Sequence, residues 1–128
     1  MLNKVTLIGR VGREPEVRYM PNGSPVASLS VATSEKWVND KGENQERTEW
    51  HNIVAYGKLA DIIGKWLKKG ALVYFEGKIR SRKYNDRNGI ERTAYEIIAD
   101  QMKMLGGKET GQQPEARADD APDDDVPF

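Results

Sequence analysis

Between Ala71 and Tyr84 the residues alternate in character, and this constrains the fold more than any other stretch of the chain. Val73, Phe75, Gly77 and Ile79 hold one set of positions; Lys78, Arg80, Arg82 and Tyr84 hold the other. Successive side chains of a β-strand point to opposite faces. One face therefore reads as core, and the other as a row of three cations ending in a ring. Like charges on one strand face repel, so something must compensate them. A bound polyanion would do so, and so would salt bridges to Glu91 or Glu96 on a solvated face. Alternation alone leaves both open.

Most of the remaining chain also reads as strand. Val5 to Val11 is β-rich and apolar on both faces, and Glu16 to Met20 continues it after a bend at Glu14-Pro15. Pro21-Asn22-Gly23 is a turn signal. A second strand places Ala27, Leu29 and Val31 opposite Ser28, Ser30 and Ala32. The polar loop Asn39 to Asn44 follows, then a third strand from about Arg47 to Tyr56. Leu59, Ile62, Ile63, Trp66 and Leu67 form the apolar stripe of one helix. This stripe assigns Trp66 to the core. Asp61 suits the helix start, Lys65, Lys68 and Lys69 its end, and Gly70 the position just beyond. After the strand from Ala71 to Tyr84, the turn Arg87-Asn88-Gly89 leads into a last strand from Ile90 to about Ala99, a strong hairpin signal. Three strands, one helix and two strands give a mainly all-β chain. The layout is that of a five-stranded OB-fold barrel, with the helix between the third and fourth strands. An SH3-like barrel or an open α+β sheet fits the same order less well.

Charge divides the chain. The 128 residues sum to zero, yet residues 1–107 carry 18 Lys and Arg against 13 Asp and Glu, whereas residues 108–128 carry two against seven. The body at +5 permits a polyanionic partner that the overall balance would disfavour. The acidic segment has no periodic apolar residues and cannot repay the entropy of ordering, so it is expected to be disordered. Residues 1–107 are accordingly expected to form one OB-fold domain and residues 108–128 a tail. Only Val126-Pro127-Phe128 supplies bulky apolar side chains there.

Several function classes drop out. The chain has no cysteine and a single histidine, His51, so thiolate zinc sites, disulfides and His-based triads lack material. No metal or cofactor is expected. Gly9-Arg10-Val11-Gly12 is not a phosphate loop of the G-x-x-x-x-G-K-[ST] type. No nucleophile is paired with a base, so an enzyme is not expected. The longest apolar run, Ala71 to Phe75, is far short of a membrane span, and Met1-Leu2-Asn3-Lys4-Val5 lacks a signal-peptide layout. A cytoplasmic protein is the expectation.

The third strand adds rings to the cations. Trp50, Asn52, Val54 and Tyr56 share one face, and His51, Ile53 and Ala55 the other. Ile53 and Ala55 suit the inside, which would turn Trp50 and Tyr56 outward. Exposed rings beside cations are what single-stranded nucleic acid needs, since every base has a π-face and every nucleotide a charge. Parity weighs this about evenly against a simply buried Trp50. Continued alternation gives Trp37 the parity of Leu29 and Val31, hence the core; a bulge or a flare of the barrel would turn it out.

The residues so far, taken with others along the chain, resemble the bacterial single-stranded DNA-binding protein family. The matching stretches are Asn3-Lys4-Val5, Leu7-Ile8-Gly9, Pro15 to Gly23, Ala32 to Glu35 with Trp37, Thr48-Glu49-Trp50-His51 and Tyr56 to Ala60. They continue through Lys69-Gly70, Val73 to Gly77, Arg80 to Tyr84, Met104 to Gly107 and the terminal Asp123-Asp124-Asp125-Val126-Pro127-Phe128. The resemblance implies an OB-fold assembled as a homotetramer that binds single-stranded DNA with little sequence preference, in replication, recombination and repair. It implies stacking at Trp37, Trp50, Tyr56 and Tyr84, and phosphate contacts at Lys58, Lys69, Arg80, Arg82 and Lys83. Lys78 joins these from the cationic row. The family's usual assembly makes His51 a candidate for the subunit interface. The tip from Asp123 to Phe128 is implied to dock replication, recombination and repair proteins, and a nucleoid-associated, cytoplasmic location follows. Departures are Tyr56 where Phe is usual, Tyr84 where Trp is usual, Asn52 where a basic residue often sits, and Val126 for the commoner Ile.

Overall fold

The computed structural model describes residues 1–106. The expected tail, residues 108–128, and its tip lie outside the described residues. The elements run β1 (Val5–Val11), β2 (Glu16–Tyr19), β3 (Pro25–Val38), β4 (Asn44–Tyr56), α1 (Lys58–Trp66), β5 (Leu72–Asn85) and β6 (Glu91–Met104). β1 and β2 are the two halves of the expected first strand, interrupted around Glu14-Pro15. The barrel is thus five-stranded, with its helix between the third and fourth strands of that count.

The sheet order is β1-β5-β6-β4-β3-β2, and β1 also pairs with β3, which closes it. β1 runs antiparallel to β5 from Val5↔Gly77 to Arg10↔Leu72, then reaches β3 at Arg10↔Ala32 and Val11↔Val31. β4 and β6 meet in parallel at Ile53↔Ile97 and Val54↔Ile98. This is the expected OB-fold barrel.

Alternation selects the interior. Ala27, Leu29 and Val31 of β3, Ile53 and Ala55 of β4, and Val73 and Phe75 of β5 are all inward residues of one cluster. β6 contributes Ile97 and Ala99, then Met102. The change of parity has a local cause: Glu76 pairs with Gln101 but Gly77 with Ala99, so Asp100 is an extra residue, and a β-bulge shifts the inward set by one. α1 closes the cluster with Ala60, Ile63 and the following Leu67.

Two expectations of burial fail. Trp66 is 42% exposed. The inward line of the helix is Ala60, Ile63 and Leu67, while Leu59 and Ile62 flank it half-buried and Trp66, the last helical residue, sits on that flank. The apolar stripe is wider than the surface that covers it. Ile79, expected in the core beside Phe75 and Gly77, is 50% exposed, because β5 has left the barrel there. The helix also ends earlier than expected. Leu67 is already extended and donates its N–H to the Ile63 carbonyl at 3.0 Å, and Gly70 lies in the turn beyond.

Candidate nucleic-acid interface

Two antiparallel ribbons project past the core. The β3–β4 ribbon pairs without interruption from Val26↔Tyr56 to Val38↔Asn44 and is exposed at nearly every residue beyond Thr33. The β5–β6 ribbon runs from Lys78↔Ile98 to Asn85↔Glu91, with all of β5 from Lys78 onward exposed. Its turn is built by Asp86, whose Oδ1 accepts the N–H groups of Asn88 (2.9 Å) and Ile90 (3.0 Å). The Oδ2 of Asp86 accepts from Arg92 Nε at 2.6 Å. These bonds hold the Asp86 carboxyl below its ordinary range, Arg92 foremost.

The registers decide which residues share a face. Ile53 and Ala55 are inward, so Trp50, Asn52, Val54 and Tyr56 face outward from β4. In β5 and β6 the outward set is Lys78, Arg80, Arg82 and Tyr84, opposite Ile98, Glu96, Ala94 and Arg92. The parallel contact Val54↔Ile98 joins the two sets into one surface. Trp50 is 57% exposed there, which answers the question its parity left open. Its ring lies over Gly12 and beside Ser30: a Cβ on Gly12 would meet the indole and come within 2.9 Å of Ser30 Oγ. Gly12 therefore lets the ring lie down against the barrel while its far side stays open.

Side-chain bonds tie this surface together. Arg80 Nη2 donates to Tyr56 Oη and to Glu96 Oε2, both at 2.9 Å. Its guanidinium carbon stands 5.9 Å from the centroid of the Tyr56 ring. Arg82 Nε donates to Glu96 Oε1 at 3.4 Å, and its guanidinium carbon is 5.8 Å from the centroid of the Tyr84 ring. Both distances suit cation–π attraction. Bonding to Tyr56 and Glu96 raises the pKa of Arg80 further, so its charge is fixed. Salt bridges to Glu96 thus do compensate the cationic row, but one carboxylate serves two guanidinium groups. Lys78 and Lys83 have no ion-pair partner among the described residues.

Other candidates lie apart. Trp37 pairs with Gln45 and shares the face of Glu35, Arg47 and His51, the opposite side of the ribbon from Trp50. No bulge turns it out. It keeps core parity but lies beyond the end of the core, and so is exposed. Lys83 likewise takes the face opposite Arg82. Lys58 opens α1 directly after Tyr56, across the turn at Gly57, whose positive φ of 66° favours glycine. Lys69 follows the helix, its backbone N–H donating to Glu14 Oε2 at 3.3 Å. His51 is half-buried, and its Nε2 is 3.0 Å from Thr33 Oγ1. The sequence names Glu96, beside Glu91, as a salt-bridge partner of the cationic row, and the structure selects Glu96; Gly12 carries no such signal. A count outward from Asn88 would have paired Glu96 with Arg80, whereas Gly12 meets Trp50 only through barrel closure.

The family model described as "Single-strand binding protein family" matches residues 2–105. The chain belongs to the single-strand binding protein family. Two curated proteins named "Single-stranded DNA-binding protein", from Neisseria meningitidis serogroup A strain Z2491 and serogroup B strain MC58, are each 66% identical over 107 residues. The match takes in 84% of this chain and 62% of each relative, so the chain spans under two-thirds of their length. A solved structure described as "Plasmodium falciparum SSB complex with ssDNA" superposes with a TM-score of 0.77 at 38% identity. It covers 83% of this chain and 97% of its own. Within this single-strand binding family member, the matched residues take in the whole barrel and both ribbons.

Proposed function

We propose that the chain binds single-stranded DNA with little sequence preference, protecting it during replication, recombination and repair. The observation that carries this reading is the outward surface on which Trp50, Tyr56, Arg80, Arg82 and Tyr84 lie together, without an apolar cover from the described residues. Rings supply sequence-tolerant stacking worth roughly 1–3 kcal/mol per base, and cations release counterions from the phosphates. Arg80, Arg82 and Lys78 contact phosphates on this face, with Lys58 and Lys69 extending the track along the helix edge. Trp37 and Lys83 are reached by a strand that passes round the ribbons. The names of the Neisseria relatives and the description of the Plasmodium complex support the choice of ligand.

In this reading residues 1–107 are the DNA-binding domain, and the chain works as a homotetramer with His51 facing a subunit contact. The role is non-enzymatic, needs no cofactor, and belongs to the nucleoid of the cytoplasm. The tip Asp123-Asp124-Asp125-Val126-Pro127-Phe128 recruits replication, recombination and repair proteins: a partner pocket takes the Phe128 ring while a cation at its lip takes the carboxylates.

A titration of tryptophan fluorescence with oligo-dT, beside a duplex of equal length, tests the ligand. Quenching that saturates with oligo-dT and fails with the duplex is expected. Equal responses to both would overturn the reading.

A further inference from the structure

Glu96 is the one buried charged residue among the described residues, at 9% exposure. It does not point into the core. It stands on β6 opposite Arg80, beneath a surface on which Asn52, Lys78, Arg80 and Arg82 are exposed. Burying a carboxylate is costly unless partners replace its water, and here the partners are two arginines of the candidate interface. Its Oε2 takes Arg80 at 2.9 Å and its Oε1 takes Arg82 at 3.4 Å. Each arginine is thereby held beside a tyrosine, Arg80 with Tyr56 and Arg82 with Tyr84.

We infer that Glu96 is a positioning residue for the bound strand: it locks Arg80–Tyr56 and Arg82–Tyr84 into one platform, at the cost of one unit of positive charge. The inference rests on the proposed binding of single-stranded DNA. Guanidinium groups have five N–H donors in a fixed fork. Bonds to Glu96 and Tyr56 engage Arg80 through Nη2 and Arg82 through Nε. The remaining donors are left for phosphate oxygens, so a strand binds without displacing Glu96. Long side chains that would otherwise be ordered on binding are already ordered, which lowers the entropy lost in the complex. The same carboxylate cancels one of the two guanidinium charges, so the pair counts as about one phosphate neutralised rather than two.

These two effects oppose each other, and salt separates them. Full-length Glu96→Gln is titrated with oligo-dT from low to high salt beside the native protein. Its plot of log affinity against log salt should steepen by ~0.7, the value for one more phosphate contact on a single strand. At high salt, where charge is screened and positioning remains, it should bind about tenfold more weakly, the scale of one charge-assisted hydrogen bond. Tighter binding at every salt concentration would make Glu96 a charge brake only and overturn positioning. Parallel plots would reduce it to a structural residue and overturn the inference as well. If circular dichroism shows that Glu96→Gln does not fold, Tyr56→Phe takes its place. It keeps the ring and removes the hydroxyl that holds Arg80, so about threefold weaker high-salt binding with an unchanged slope is expected; native affinity would contradict the lock. Failure of the native protein itself to bind oligo-dT would instead overturn the DNA-binding reading.

Discussion

The barrel and the ribbons that leave it are made from the same strands with the same alternation, yet they have opposite fates. Along β5, Val73 and Phe75 are fully buried while Ile79, Ser81 and Lys83, on the same face, are exposed. Along β3, Leu29 and Val31 are buried and Trp37 is not. Nothing changes in the pairing of β3 with β4 between these points. What changes is that, among the described residues, no opposing element remains to cover the face. Alternation states which residues share a side; whether that side is an interior depends on partners far away in the chain.

The largest expected effect sharpens this contrast. Phe75→Ala removes a fully buried ring and should cost about 3–5 kcal/mol in denaturant unfolding. Ile79→Ala, two strand repeats further along, should stay within about 0.5 kcal/mol of the native protein. Comparable losses at the two sites would break the division between barrel and ribbon.

A second contrast concerns the exposed tryptophans. Trp50→Ala should weaken oligo-dT binding by roughly 1–3 kcal/mol with little loss of stability, because its ring is exposed and in the proposed function stacks on bases. Trp66→Ala, on the helix flank, should change that affinity much less. Titrations at equal folded fraction check both, and a larger effect at Trp66 would move the binding face to the helix.

Next in size is the charge of the β5–β6 ribbon. Arg80→Ala should flatten the dependence of log affinity on log salt by up to ~0.7 while leaving base preference unchanged. Homopolymer titrations at several salt concentrations measure both, and an unchanged slope would mean that Glu96 alone accounts for this arginine.

The smallest effect belongs to the ribbon turn. The Asp86 carboxyl is held below its ordinary value near 3.8, chiefly by Arg92 and the Ile90 N–H. A depressed folded pKa stabilises above the unfolded value, and that contribution is lost as pH falls through the folded value. Asp86→Asn should therefore lower stability slightly at neutral pH and not at all once the native carboxyl is protonated. Melting curves at both ends of that range test the sign.

Much of this arrangement is legible in the residues. The order of elements, the Asn88-Gly89 turn and the shared parity of Trp50 with Tyr56 follow from local pattern, and local pattern is what strand pairing preserves. The lengths were less legible: β4 starts at Asn44 and β6 runs to Met104, beyond the apolar stretches that mark their cores. Strand pairing there continues over polar residues that carry no burial signal. Trp66 misled because a helical stripe gives a direction but not the width of the covering surface. The role of Glu96 needed the register of two strands at once, and that of Gly12 needed the closure of the barrel. The resemblance implies one stacking set for Trp37 and Trp50, while alternation gives Trp37 core parity, and the uninterrupted register keeps the two on opposite faces of one ribbon.

Amide chemical-shift mapping of the full chain with oligo-dT tests the central claim most directly. The account predicts changes concentrated on the outward face around Trp50, Tyr56, Arg80, Arg82 and Tyr84, and spreading onto the two ribbons, with the buried strand segment near Phe75 and the middle of α1 little affected. Changes centred on α1, with the outward face of β4 and β5 silent, would contradict it.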